Sequence, residues 1–142
     1  MRLTTFTDFG LRVLMRLADA PERQFTTGEL ATELEISRNH LAKVVQNLAR
    51  ADYIETRRGA GGGFRLALPA GSIPLGQVVR HLEQQSPLVD CFRTDGGSCS
   101  LTPHCRLKGR LAAAREAFLA ELDTTSLADC AWPGEAGRIP PR

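Results

Sequence analysis

At 142 residues the chain can form one compact domain, or a small domain with an oligomerisation arm, and should fold without disulfide staples. Its 18 Lys+Arg and 16 Asp+Glu give a formal net charge of +2, too small by itself to mark a polyanion binder, and no apolar stretch approaches the ~20 residues of a membrane span. Residues 1–10 carry Asp8 and three Thr instead of a secretory signal, so a cytoplasmic, membrane-free chain with four reduced Cys is expected.

Thr7 is placed to cap a first helix reaching about residue 20. Leu11, Leu14, Met15 and Ala18 fall on one face and Val13 and Leu17 on another, so burial on most sides is expected. Thr26 and Glu29 have the T-x-x-E spacing of a capping box, opening a short helix through Leu34. Glu35 and Ile36 make a tight turn. Ser37 caps the next helix, whose buried stripe is Leu41, Val44, Val45 and Leu48. Residues 53–58 and 64–68 then alternate apolar and polar around Gly59-Ala60-Gly61-Gly62-Gly63, a hairpin pattern.

Pro69, Gly71 and Pro74 precede a fourth helix over about 75–85, with Val78, Val79 and Leu82 inward and Pro87 ending it. After a cysteine loop, Thr102 and Pro103 start a long helix to about Leu122. Leu107, Leu111, Ala114, Phe118 and Leu122 form a seam along it that suits a twofold helix pair. The fold class is therefore mainly α with a small β-hairpin wing. A winged helix-turn-helix DNA-binding domain is expected over 1–69, a cluster-binding loop and dimerisation helix over 70–122, and a flexible C-terminal tail over 123–142.

Charge is unevenly placed along this plan. Residues 36–66 hold Arg38, Lys43, Arg50, Arg57, Arg58 and Arg65 against Asp52 and Glu55, whereas residues 70–142 hold eight basic and eight acidic residues. Double-stranded DNA is the partner that a basic helix-turn-helix fits. Its second helix would enter the major groove with Arg38, Asn39, His40 and Lys43 near base edges, while Arg57, Arg58 and the backbone at Gly61 would meet phosphate or the minor groove. Charged residues also simply solvate outer helix faces; the capped helix pair, the glycine-rich hairpin and the confined basic charge point to DNA together. No glycine-rich nucleotide loop or clear Ser/His/Asp set accompanies them, so an enzyme is not expected.

Cys91, Cys99 and Cys105 are spaced C-x7-C-x5-C. Three thiolates without a fourth partner of their kind suit an iron–sulfur cluster with one non-Cys ligand better than a finished zinc site. His104 adjoins Cys105 and is badly placed to share its ion, and His81 belongs to the preceding helix. A helix of about eighteen residues, rising ~27 Å, separates Cys130 from the loop. A disulfide switch between loop thiols and a zinc-stabilised DNA-binding module stay open on the residues alone.

The opening residues 1–12, the wing Arg57-Arg58-Gly59-Ala60-Gly61-Gly62-Gly63 and the C-x7-C-x5-C loop resemble, over residues 1–122, the Rrf family of winged-helix iron–sulfur regulators. One branch of that family carries a His three residues beyond the third Cys, where Lys108 stands here. The triplet Phe6-Thr7-Asp8 is similar to the nitric-oxide-sensing branch. That likeness implies a homodimeric repressor that binds palindromic operator DNA and releases it when its cluster is nitrosylated or lost. It also implies Cys91, Cys99 and Cys105 as cluster ligands, with Asp8 from the partner protomer as the fourth and a four-iron cluster favoured over a two-iron one. An iron- or redox-responsive regulator of the same family is the alternative. Asp8 also suits the first turn of a helix by dipole alone, worth ~0.3–1 kcal/mol.

Overall fold

The computed structural model describes residues 2–132. They form helices α1 (Thr5–Asp19), α2 (Thr27–Glu33) and α3 (Arg38–Arg50), a hairpin of β1 (Ile54–Arg57) and β2 (Gly63–Leu66), then helices α4 (Leu75–Leu82) and α5 (Arg106–Asp123). The architecture is the mainly helical, winged fold expected.

α1 starts earlier than a Thr7 cap would place it. Thr4 is the cap, with its hydroxyl accepting the Thr7 N–H at 3.2 Å, while Thr7 itself is fully buried. A tertiary contact decides between the two threonines: Glu83, just past α4, accepts both the Thr4 N–H and its hydroxyl at 2.8 Å. The second helix starts as its spacing predicts. Thr26 accepts the Glu29 N–H at 3.2 Å and Glu29 accepts the Thr26 N–H at 2.8 Å, which holds the Glu29 carboxyl below its ordinary range. Glu35 turns the chain at φ 55, and Ser37 caps α3 through the His40 N–H.

Apolar side chains from these helices close one core. Val13, Leu14, Leu30, Leu41, Val44 and Leu48 are 0% exposed, and Leu17 1%. Fully burying one such side chain contributes ~1.5–3 kcal/mol, so the helical spacing fixes the packing. Buried Arg16 ties α1 to α2 through Glu33 at 2.7 Å and lies 4.8 Å over the Phe25 ring.

The hairpin pairs Ile54 with Leu66 and Arg57 with Gly63. Phe25 and Phe64 exchange backbone hydrogen bonds of 2.9 and 2.8 Å, fastening the wing's base to the core. Gly63 permits this approach: its φ is 152, and a Cβ there would strike the Phe25 carbonyl.

Three details differ from the periodicity in the second half. α4 stops at Leu82 rather than about 85. Thr102–His104 form a separate 3-10 turn with Pro103 in it, leaving Cys105 as the extended residue immediately before α5 rather than inside its first turn. Proline fits the tight turn, and the helix restarts beyond it. The third difference is the segment 124–132, expected within a loose tail. Leu127 N–H donates to the Ile73 carbonyl at 2.8 Å, Trp132 N–H to Met15 at 2.9 Å, and Leu127 is 0% exposed. Burial of Leu127 anchors this stretch; residues 133–142 of the expected tail lie outside the described residues.

α5 buries Leu119 against α4, while Leu107 (62% exposed) and Phe118 (36%) leave the expected seam uncovered within one protomer. Gly76 sets the α4–α5 spacing, because a Cβ there would meet the Leu119 carbonyl and the Asp123 carboxylate. Gly109, away from the seam, faces open space. Gly76→Ala should therefore lower the thermal midpoint by forcing α4 and α5 apart. Gly109→Ala should raise stability by about 0.5–1 kcal/mol, since alanine restricts the unfolded chain and favours helix. Denaturant titration of both variants checks the pair.

Candidate DNA-reading surface and cysteine loop

Two basic features of the fold are exposed. Arg38, Asn39, His40 and Lys43 occupy the first two turns of α3, all exposed, opposite the Leu41–Val44–Leu48 stripe. The Arg38 guanidinium reaches back over the start of α2, near Gly28. His40 also touches α1, its ring centroid 6.2 Å from that of Phe9. Arg57 ends β1 and Arg58 opens the wing loop. Among the described residues neither is in an ion pair, in contrast to Arg65, which Glu55 and Glu22 engage. Gly59 and Gly61 have φ of 96 and 73, and the Gly62 N–H closes the turn on the Gly59 carbonyl at 3.0 Å. A Cβ at Gly62 would strike the Arg57 carbonyl, whereas Gly61 is exposed with open space around it. Uncompensated guanidiniums beside bare backbone can bind phosphate.

The cysteine loop is organised by a residue with no signature in the sequence. Asp90 accepts the Ser98 N–H at 2.7 Å, and the Arg93 N–H donates to its backbone carbonyl at 3.1 Å. Asp95 accepts the Gly97 N–H at 2.9 Å and two guanidinium bonds from Arg93 at 3.0 and 2.7 Å. Those guanidinium bonds, first, and the Gly97 N–H hold the Asp95 carboxyl below its ordinary range. The Asp90–Ser98 clasp joins the neighbours of Cys91 and Cys99, so both thiols flank one closed loop. Cys105 follows at the start of α5.

All four cysteines are free thiols: Cys91, Cys105 and Cys130 are half-buried and Cys99 is exposed. In the conformation described, no three His, Cys, Asp or Glu side chains among the described residues converge closely enough to share a metal ion. Asp8 instead pairs with Arg12 at 2.8 Å on the α1 surface. The donor chemistry nonetheless fits an iron–sulfur cluster. Three thiols stand on one loop and its exit, none packed into the apolar core. His104 is exposed in the 3-10 turn, and His81 is engaged elsewhere, by Asn47 at 2.8 Å.

A winged helix-turn-helix with an exposed basic reading face, followed by a thiol-bearing loop and a long helix with an uncovered apolar seam, defines a DNA-binding regulator class. The profile of the Rrf2 family, described as iron-dependent transcriptional regulators, matches residues 3–132, and the chain belongs to that family. Among solved structures, the oxidised form of Staphylococcus aureus CymR is 27% identical with a TM-score of 0.71, covering 92% of this chain and 96% of that one. CymR (YrzC) of B. subtilis, described as its global cysteine regulator, is 27% identical with a TM-score of 0.72 and the same 92% and 96% coverage. IscR of T. potens, 23% identical over 91% of this chain and 85% of that one, has a TM-score of 0.69 and shares the fold. Transcriptional regulation is thus the role of this chain. No helix among the described residues is long and apolar enough to cross a membrane.

Removing charge from the wing should have a distinctive signature. Arg57→Ala and Arg58→Ala are each expected to weaken binding to all duplexes alike and flatten the salt dependence by about one unit per lost phosphate contact. Affinity measured across a salt series checks this; an unchanged slope in both would remove the wing from the DNA interface.

Proposed function

We propose that the chain is a homodimeric, nitric-oxide-responsive iron–sulfur repressor, an NsrR-like member of its family, that binds palindromic operator DNA and releases it when its cluster is nitrosylated or lost. The observation that carries this reading is the set of three free thiols, Cys91, Cys99 and Cys105, on a loop clasped by Asp90 and leading directly into α5. With the Phe6-Thr7-Asp8 opening, that donor set is completed by Asp8 of the partner subunit, brought across by pairing of the α5 seams. When bound, the cluster supplies iron with one carboxylate corner accessible to a small molecule.

The chain's own residues do the rest. The α5 seam, with Leu107 and Phe118 exposed, buries apolar surface between protomers and sets the spacing of two reading helices. Arg38, Asn39, His40 and Lys43 face base edges; Arg57, Arg58 and the Gly61 backbone hold the duplex flank. With Cys91, Cys99 and Cys105 of one protomer and Asp8 of the partner subunit as its holders, the cluster would bias the pair towards one separation. A preference of ~2–3 kcal/mol changes operator occupancy roughly 30- to 150-fold.

A second reading within the family, a redox- or cysteine-linked response without a cluster, draws on the 27% identity with CymR and on the unpaired thiols. A zinc-stabilised module without sensing is the third. Anaerobic purification with metal analysis separates them, since an iron–sulfur protein is brown with matching iron and sulfide, a zinc protein is colourless with bound zinc, and the remaining reading gives a colourless metal-free protein. Ala at Cys91, Cys99 or Cys105 should abolish visible absorbance and operator binding, and Cys130→Ala should do neither. Asp8→Ala should keep the dimer folded, because a first-turn carboxylate contributes only ~0.3–1 kcal/mol, yet shorten the cluster's lifetime towards oxygen and chelators. Wild-type lifetime and nitric-oxide response in both Asp8→Ala and Asp8→Asn would move the fourth ligand elsewhere.

A further inference from the structure

The buried stripe of α3 holds the reading helix by apolar contact, which resists separation strongly and rotation or sliding weakly, because burial is non-directional. A hydrogen bond is directional and fixes an azimuth. Among the described residues, the side-chain hydrogen bond that joins α4 to α3 runs from His81 Nε2 to Asn47 Oδ1, 2.8 Å apart and partly shielded from water. Since an amide oxygen only accepts, this bond makes Nε2 the protonated nitrogen. The same ring lies 5.9 Å from the ring of Tyr53, inclined at 60°, and Tyr53 is the residue immediately before β1. One imidazole therefore touches both the reading helix and the root of the wing.

The position on each helix matters. Asn47 follows His40 by seven residues, so the two lie on one flank of α3, and His40 meets Phe9 of α1. Arg80, adjacent to His81, points the other way: it donates to Asp123 of α5 at 2.7 Å and reaches Glu116 at 3.5 Å. Burial and then the Asp123 charge push the Tyr53 phenol up. α4 is thus held to α5 by one residue and to the DNA-reading elements by the next.

We infer that His81 is a positioning residue for DNA recognition: by holding Asn47 and Tyr53 together it fixes the rotation of α3 and the angle of the wing relative to α4. This rests on the DNA-binding part of the proposed function and is independent of what the cysteines hold. His81 touches no DNA in this role. It sets the arrangement in which Asn39 and Lys43 meet base edges, so its loss degrades discrimination before it degrades general affinity for the duplex.

The test uses the full chain and a duplex selected by the wild type from a random-sequence pool, with an unrelated duplex of equal length as reference. His81→Ala and Asn47→Ala should each reduce the ratio of selected to unrelated affinity by roughly tenfold, the scale of one lost base contact. The double variant should lose no more than either single one, and His81→Gln, whose amide can still donate to Asn47, should retain most of the ratio. Thermal midpoint and affinity for the unrelated duplex should stay near wild type in Asn47→Ala. Wild-type discrimination in both single variants, additive losses, or losses that follow the thermal midpoint would each overturn the inference. Absorbance and nitric-oxide response are read separately, so failure of the cluster reading leaves this result intact, whereas a wild type that selects no duplex removes both.

Discussion

The close crossing of α4 and α5 is the constraint on which the rest of the molecule depends. Gly76 lets the two backbones approach until a methyl group would no longer fit, Leu119 is buried in the contact, and Arg80 binds Asp123 across it. α4 is short, and its neighbours are the start of α1 through Glu83, the reading helix through His81 and the long helix through Arg80. A helix clamped on three sides by directional contacts cannot shift against one neighbour without disturbing another. Packed interfaces of this kind favour discrete arrangements over continuous deformation, which suits a regulator that must be either on or off its operator.

Charge follows the same division of labour. Acidic partners occupy the arginines that hold the scaffold: Glu33 on Arg16, Asp123 and Glu116 on Arg80, Asp95 on Arg93. Arg57 and Arg58 carry no such partner among the described residues. Exposed ion pairs contribute little to stability, ~0–1 kcal/mol, so leaving these two unpaired weakens the fold hardly at all while preserving their attraction for phosphate.

Much of this architecture was legible in the sequence because it rests on local rules. The Thr26–Glu29 box, the Ser37 cap, the α3 stripe and the glycine-rich wing are short-range patterns, and each appears where its spacing places it. What escaped the sequence is tertiary. Thr4 rather than Thr7 caps α1 because Glu83, distant in sequence, selects it. Leu127 reads as part of a flexible tail until Ile73 is seen to receive it. Asp90 has no periodic signature, and Leu119 falls off the seam that its neighbours define. The cysteine pattern singled out three thiols, but C-x7-C-x5-C does not specify the Asp90–Ser98 clasp between the first two of them. Nor does it show how far the three stand from convergence in one protomer.

The return of the chain onto α1 has an optical consequence. Trp132 is the sole tryptophan of the sequence, and it rests against Met15 beside Arg12, the residue that pairs with Asp8. Its side chain is half-buried and lines one pocket with Arg12 and Met15 of α1. Emission from a single chromophore so placed carries information about the environment of α1 without any label. The protein contains its own fluorophore beside the first helix of the winged fold.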